Sequence, residues 1–426
     1  MFRRLGEETT VQALEQMARR YETRIGLYFE GPPPSSSTLG RFEPASGLYL
    51  GAYIQGELEI KTRVSGHPDP RAFASFAGKK HAIFMDYHRY GRAFPKGYAA
   101  VLRDRGAALH LALEPHDLDA VADNAYLRQF VADMRGAEIP IFLRFASEMN
   151  GSWVPWHGNP TKYKEKFRIV SRVVRETAPN VAMVWCPYDL PEETIEAYYP
   201  GAEYVDWVGV NFYAVTFFNG DRNRPADWRQ ASDSLRFIYD KYAARHPILV
   251  GEWAATHMSK VDMKPVPDWA AARIREFYQS VPRFFPRVKA VNWFSLNTFE
   301  RAVAPRRLNN FSLIESEPVL REYARSIQDR YYLSDIVQDH RAGASFAYLP
   351  ADRIDVKSGT VRLSYAIKTP YEDATVIVRD GANTIWSTSA NQLGSKNYRP
   401  AGPTTLTIEV RAEGKSVTSK TYTIKG

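Results

Sequence analysis

Eight short apolar runs recur along the chain, each followed by a longer stretch of helical periodicity, and this alternation limits the fold more than any other feature. The runs are Leu48 to Ile54, Ala82 to Tyr87, Ala108 to Glu114, Pro140 to Ala146, Val181 to Cys186, Val205 to Asn211, Ile248 to Glu252 and Ala290 to Ser295. Several are almost continuously apolar rather than alternating, as strands covered on both faces must be. Between them, Lys162 to Thr177 places Tyr163, Phe167, Val170 and Val174 on one stripe, and Asp233 to Ala244 does the same with Leu235, Ile238 and Tyr242. Pro318 to Asp329 reads as a closing helix. Eight such units predict an α/β fold, a (β/α)8 TIM barrel over residues 47–337. No Gly-x-Gly-x-x-Gly turn follows the first run, which removes the simplest dinucleotide-binding alternative.

The flanks read differently. Residues 1–46 form a lead-in with an amphipathic helix expected over Thr10 to Tyr21, then a stiff polar segment from Gly31 to Ser37. After Gln338 the spacing shortens: Val361 to Ile367, Thr375 to Val378, Thr384 to Thr388, Thr405 to Val410 and Ser416 to Ile424 read as strands, with hairpin turns at Asp380-Gly381 and Glu413-Gly414. Residues 345–426 are therefore expected to be a small all-β, immunoglobulin-like sandwich.

Composition excludes several function classes. Hydrophobic residues are 44% and charged residues 24% of the 426, an ordinary globular balance. No apolar run approaches the roughly 18 residues that a membrane span needs. The single cysteine, Cys186, rules out a disulfide scaffold or a thiolate zinc site. The net charge of +8 arises from 56 basic residues scattered among 48 acidic ones, so no nucleic-acid partner is expected. Aromatic residues reach 13%, with 9 Trp and 25 Tyr, and flat rings with polar rims suit sugars as well as cores.

In such a barrel the chemistry sits at the C-terminal ends of the strands. Those ends are polar here: Gln55; Asp86, Tyr87 and His88; Glu114, Pro115 and His116; Ser147, Glu148, Met149 and Asn150; Asn211 and Tyr213; Glu252 and Trp253; Trp293 and Asn297. Glu148 and Glu252 close the fourth and seventh strands, across the mouth from each other, and glycosidic cleavage needs one acid and one carboxylate so opposed. Arg144 is expected to pair with a carboxylate and orient the site. Trp153 and Trp156 stand on the loop after Glu148, where they stack on sugar rings or pack beneath the loop. Trp253 and Trp293 stand at strand ends, one of them as a floor for the reactive sugar or both as core. Asp86, His88, Glu114 and His116 are candidates for binding substrate hydroxyls, the two histidines equally as structural groups. Their spacings match no metal-ligand pattern, and neither a metal nor another cofactor is expected.

Arg144 to Gly151, followed by Trp153, Pro155 and Trp156, resembles the Arg-x-x-x-Glu-Met-Asn-Gly-x-Trp-x-x-Trp signature of glycoside hydrolase family 26, retaining enzymes known best as β-mannanases. Val184, Trp185 and Pro187 resemble the family's fifth strand, and Tyr198 to Trp207 its approach to the sixth. Pro247 to Glu252 resembles the seventh, and Asn292 to Phe294 the eighth. The resemblance implies a glycoside hydrolase with Glu148 as general acid/base, Glu252 as nucleophile and Tyr213 hydrogen-bonded to Glu252. It places Asn150, Trp153 and Trp156 among the substrate-binding or site-orienting residues. Family members usually carry histidine before the acid/base; this chain has Ser147, shorter and never cationic, so its sugar preference need not follow theirs.

The expected substrate is a β-linked polysaccharide or oligosaccharide, β-mannan first, with β-glucan, xylan or an exopolysaccharide open. A catalytically silent carbohydrate-binding or cell-surface scaffold is the alternative. A monomer acting outside the cell or at its surface is expected from the substrate's size, although no apolar leader follows Met1.

Overall fold

A computed structural model of the chain describes residues 22–33, 39–337, 343–371, 373–392 and 394–425. The helix expected over Thr10 to Tyr21, and Pro34 to Ser37 of the stiff segment, lie outside the described residues.

Eight parallel strands close into a barrel: Leu48–Tyr53, Ile83–Arg89, Ala108–Glu114, Ile141–Phe145, Val181–Trp185, Trp207–Asn211, Ile248–Trp253 and Val288–Phe294, with the eighth pairing back on the first. Each expected run becomes a strand, with ends moved by two residues or fewer. The inside of the barrel is filled by Tyr49, Ile83, Phe142, Val184, Trp207 and Leu249, all fully buried. The opposite faces of the same strands bury Leu109, Leu143, Val208 and Val250 against the helices. This double coverage is why the runs are apolar throughout.

The Pro160–Thr177 helix shows how local sequence sets an element. Pro160 occupies the first turn, where its missing N–H costs nothing, and the Asn159 side chain accepts from the Lys162 amide at 3.0 Å, a cap worth about 1 kcal/mol. Tyr163, Phe167, Val170 and Val174 are all buried, so the expected stripe is the face against the barrel. The loops after the strands form the mouth. Those after the seventh and eighth are zipped by pairing of Met258–Ser259 with Asn309–Asn310.

The C-terminal region is all-β, made of two four-stranded antiparallel sheets over one core that includes Leu27, Leu363, Val378, Leu406 and Ile408. One strand of it comes from the segment that the sequence set apart as lead-in. Arg24–Gly31 lies between Ala347–Pro350 and Val361–Lys368 and pairs with both. Its burial pattern, with Ile25, Leu27 and Phe29 inward, is the period-two pattern of a sheet strand. The module rests on the Pro267–Phe284 helix that follows the seventh barrel strand. There Arg283 donates to Ser364 Oγ at 3.1 Å and lies 3.9 Å over the Tyr348 ring; beside it, the buried Lys368 ammonium meets Asp233 of the Ala231–Leu235 turn at 2.7 Å.

Candidate active site

The fourth strand aims Phe142 and Arg144 into the barrel, and the chain then turns sharply. Ala146 and Glu148 both adopt left-handed backbone, at φ 47° and 60°, which costs a non-glycine residue on the order of 1 kcal/mol or more each. The turn is pinned by the Glu148 amide donating to Cys186 O at 2.8 Å and the Gly151 amide donating to Glu148 O at 2.9 Å. It delivers the Glu148 side chain over the barrel end.

Glu252 arrives by a different device. Leu249 faces the barrel interior and Val250 the helices, so simple alternation would turn Glu252 outward. Pairing with the sixth strand slips after Val250, where Gly251 and Glu252 together oppose Asn211. This bulge returns Glu252 to the inside. Gly251 is required there: a Cβ would lie 2.4 Å from Asn211 Oδ1 and 3.0 Å from both Arg144 Nη1 and Cys186 Sγ.

The two carboxylates are joined by a single network. Arg144 Nη2 donates to Glu252 Oε1 at 2.5 Å and Nη1 to Asn211 Oδ1 at 3.0 Å, while Asn211 Nδ2 donates to Glu148 Oε1 at 2.7 Å. Because guanidinium can only donate, Asn211 must present its oxygen to Arg144 and its NH2 to Glu148. The Cys186 thiol, raised by burial to about 12, keeps its proton and donates to the same Asn211 oxygen. Glu252 also accepts from Tyr87 at 2.6 Å and from Tyr213. Burial, then the Glu252 charge, holds both phenols well above their usual range, so they remain donors. Glu148 accepts from Trp153 Nε1 at 2.6 Å on its other oxygen. Burial, followed by the charge of Glu252, lifts Glu148 above the ordinary carboxyl range against the hydrogen bonds from Asn211 and Trp153.

Other residues expected at the site divide by which face of a strand they occupy. Trp253 and Trp293 are fully buried on the helix side, not a floor for substrate: Trp253 packs on Phe277 with ring centroids 4.0 Å apart, and Trp293 on Tyr323 at 5.4 Å. The bulge sets this for Trp253, and alternation with the inward Asn292 sets it for Trp293. Phe294, the next inward residue after Asn292, is stacked on Tyr53 at 4.8 Å and edge-on to Tyr213 at 5.6 Å. Asp86 and His88 likewise lie on the face opposite Tyr87. His88 packs near Phe130 and meets Arg92 O at 3.3 Å. Asp86 sits near Tyr98, its carboxyl pushed up to about 6 by burial. Tyr87, named at its strand end without a role, is the residue of that trio that reaches Glu252; its parity with the inward Ile83 was the available signal.

Trp153 is 41% exposed and edge-on to Tyr188, and its carbonyl accepts from Arg306 Nη2 at 3.2 Å, a link from the loop after the eighth strand to the loop after the fourth. Trp156 is buried and donates to Ser147 O at 2.8 Å, so it packs beneath the loop. Asn150 clamps the next loop, donating to Tyr188 O and accepting from the Tyr188 amide, each at 2.9 Å. Among the described residues no helix is long and apolar enough to cross a membrane.

Comparison with known proteins gives four findings. A β-1,3-xylanase, TXYA, from a Vibrio species is 32% identical over 134 residues, 29% of this chain and 28% of that protein. Endoglucanase H of Acetivibrio thermocellus is 23% identical over 402 residues, 88% of this chain and 41% of that protein. The chain thus spans well under half the length of either relative. Among solved structures, a modular endo-β-1,4-mannanase from Cellulomonas fimi is 15% identical, with 91% of this chain and 100% of that chain covered and a TM-score of 0.48. The model for glycosyl hydrolase family 26 matches residues 100–229, the stretch that carries Arg144, Glu148, Asn211 and Tyr213. By that match, and by the motif from Arg144 to Trp156, this part of the chain is similar to glycosyl hydrolase family 26.

Proposed function

We propose that the protein is a retaining glycoside hydrolase that cleaves a β-linked polysaccharide, with Glu148 as general acid/base and Glu252 as nucleophile. The observation that carries this reading is the network Glu148–Asn211–Arg144–Glu252, which joins two opposed carboxyl groups in different surroundings. Glu252 lies against the Arg144 guanidinium and two phenols, the setting of a carboxylate anion. Glu148 is partly buried, has no cationic partner in contact among the described residues, and is lifted toward the protonated form.

In the first step a Glu252 oxygen bonds to the anomeric carbon as the glycosidic C–O bond breaks and Glu148 gives its proton to the departing oxygen. In the second, Glu148 takes a proton from water, the water oxygen bonds to the anomeric carbon, and the ester to Glu252 breaks. Both carboxyl groups end as they began, and the anomeric configuration is kept. Arg144, Tyr87 and Tyr213 orient Glu252, and Asn211 keeps Glu148 aimed.

β-Mannan is the leading substrate through the motif. The xylanase and endoglucanase names of the relatives make β-1,3-xylan and β-glucan the rivals. Ser147, largely buried, stands where the family usually has an imidazole. Polymers of this size are met outside the cell or at its surface, and we place the activity there.

The test is hydrolysis of mannan, glucomannan, barley glucan, xylan, β-1,3-xylan and β-1,3-glucan by wild type beside Glu148→Gln and Glu252→Gln. Cleavage of one polymer by wild type, its loss by about three orders of magnitude or more in both variants, and first products with retained anomeric configuration are expected. A wild type that cuts none of them yet is held by a polymer on an affinity gel is a scaffold, not a hydrolase.

A further inference from the structure

A third carboxyl group, that of Glu114, stands at the barrel mouth with those of Glu148 and Glu252. On the third strand Ala108, His110, Ala112 and Glu114 alternate with Leu109, Leu111 and Leu113, which are packed among the helix-facing core. His110 meets Asn292 inside the barrel at 3.1 Å, which fixes the inward set and places Glu114 at its upper end. The Glu114 side chain is 30% exposed, and Arg144, Glu252, Glu148 and Arg306 all lie within electrostatic reach of it.

Its bonding sets it apart from the other two. Both oxygens of Glu252 and both of Glu148 already accept hydrogen bonds from protein donors. Glu114 has none among the described residues; the His116 ring nitrogen Nε2 is 3.9 Å from Oε2, too far for a hydrogen bond. A carboxylate offers about four lone-pair sites, so the free acceptor capacity at this mouth is concentrated on Glu114. Burial pushes its carboxyl up to about 7, with the charges of Glu252 and Glu148 adding to the rise and those of Arg144 and Arg306 opposing it.

We propose that Glu114 is a substrate-contacting residue that determines specificity by accepting hydrogen bonds from hydroxyl groups of a sugar bound at, or next to, the bond that is cut. Two carboxylate oxygens side by side suit a pair of neighbouring hydroxyls, so the ligand class is a neutral sugar with free vicinal hydroxyls at that ring. The inference rests on the hydrolase reading for its substrate but not for its binding test.

Binding of mannohexaose, cellohexaose and β-1,3-linked xylo-oligosaccharide is measured by calorimetry on Glu148→Gln and on Glu148→Gln/Glu114→Gln, with melting temperatures recorded for both. Loss of affinity by about ten- to a hundredfold for the best-bound sugar, with an unchanged melting temperature, is expected, as is partial recovery in Glu114→Asp. Equal affinity within twofold, or no binding by either protein, overturns the proposal. In hydrolysis, Glu114→Gln is expected to raise KM about tenfold or more with kcat little changed. A shift only in the pH profile at constant KM makes Glu114 a modulator of the Glu148 proton and removes it from the substrate. Failure of wild type to cut any polymer is a separate result, and it counts against the hydrolase reading alone.

Discussion

Glu148 accepts one hydrogen bond at each oxygen, and these donors oppose burial and the Glu252 charge in setting its proton affinity. A donor to the charged form lowers a pKa, so removing one raises it. In Trp153→Phe the upper limb of the kcat/KM pH profile, which reports loss of the proton from the acid, is therefore expected to move to higher pH by about one unit. A limb that stays put or moves down shows that the indole does not bear on the acid. The same residues show what can be read from order alone. Arg144, Glu148 and Glu252 are legible because only a few charged side chains sit at the ends of apolar runs. Tyr87 and Asn211 were seen at strand ends, but their roles depend on which partner stands across the barrel, and no local spacing carries that. Asp86 and His88 were favoured over Tyr87 for their polarity, and strand parity decided otherwise.

At the scale of the element, the seventh strand is the least forgiving. Its bulge puts Glu252 inside and Trp253 outside, and the residue at the bulge is Gly251, against which Asn211, Arg144 and Cys186 converge. Gly251→Ala forces those three groups apart. It is expected to cost about 1–3 kcal/mol in urea unfolding and about a hundredfold in kcat/KM, since displacement of a catalytic group by an ångström has that order of effect. Wild-type kinetics in a folded Gly251→Ala protein refutes the steric account. The bulge also explains why the runs predict eight strands correctly yet leave Trp253 open between mouth and core: periodicity reports that a strand exists and is covered on both faces, while a single inserted residue reverses every side chain beyond it.

For the whole molecule, the Arg24–Gly31 strand sits inside the sheet of the C-terminal module, with Leu27 in its core and the Leu27 amide accepted by the Tyr422 hydroxyl oxygen at 2.9 Å. Removal of residues 1–33 is expected to leave a barrel whose C-terminal region no longer folds. Limited proteolysis then cuts within residues 343–425, and calorimetry loses the module's contribution; a protease-resistant module after that truncation shows the strand to be dispensable. The sequence pattern does not announce this pairing, because Arg24–Gly31 lies far from its partners and its apolar content is modest. The barrel is legible, by contrast, since each of its units joins neighbours in sequence.

The same strand sets an order of assembly. Thr23 meets Thr369 across 346 residues of chain. At ordinary rates of synthesis the first strand emerges roughly 20–70 s before the residues it pairs with, and the whole barrel is made in the interval. Throughout that time the strand has an unpaired edge. The barrel is thus completed inside a loop whose two ends are later fastened together, and the sandwich is the clasp that closes last.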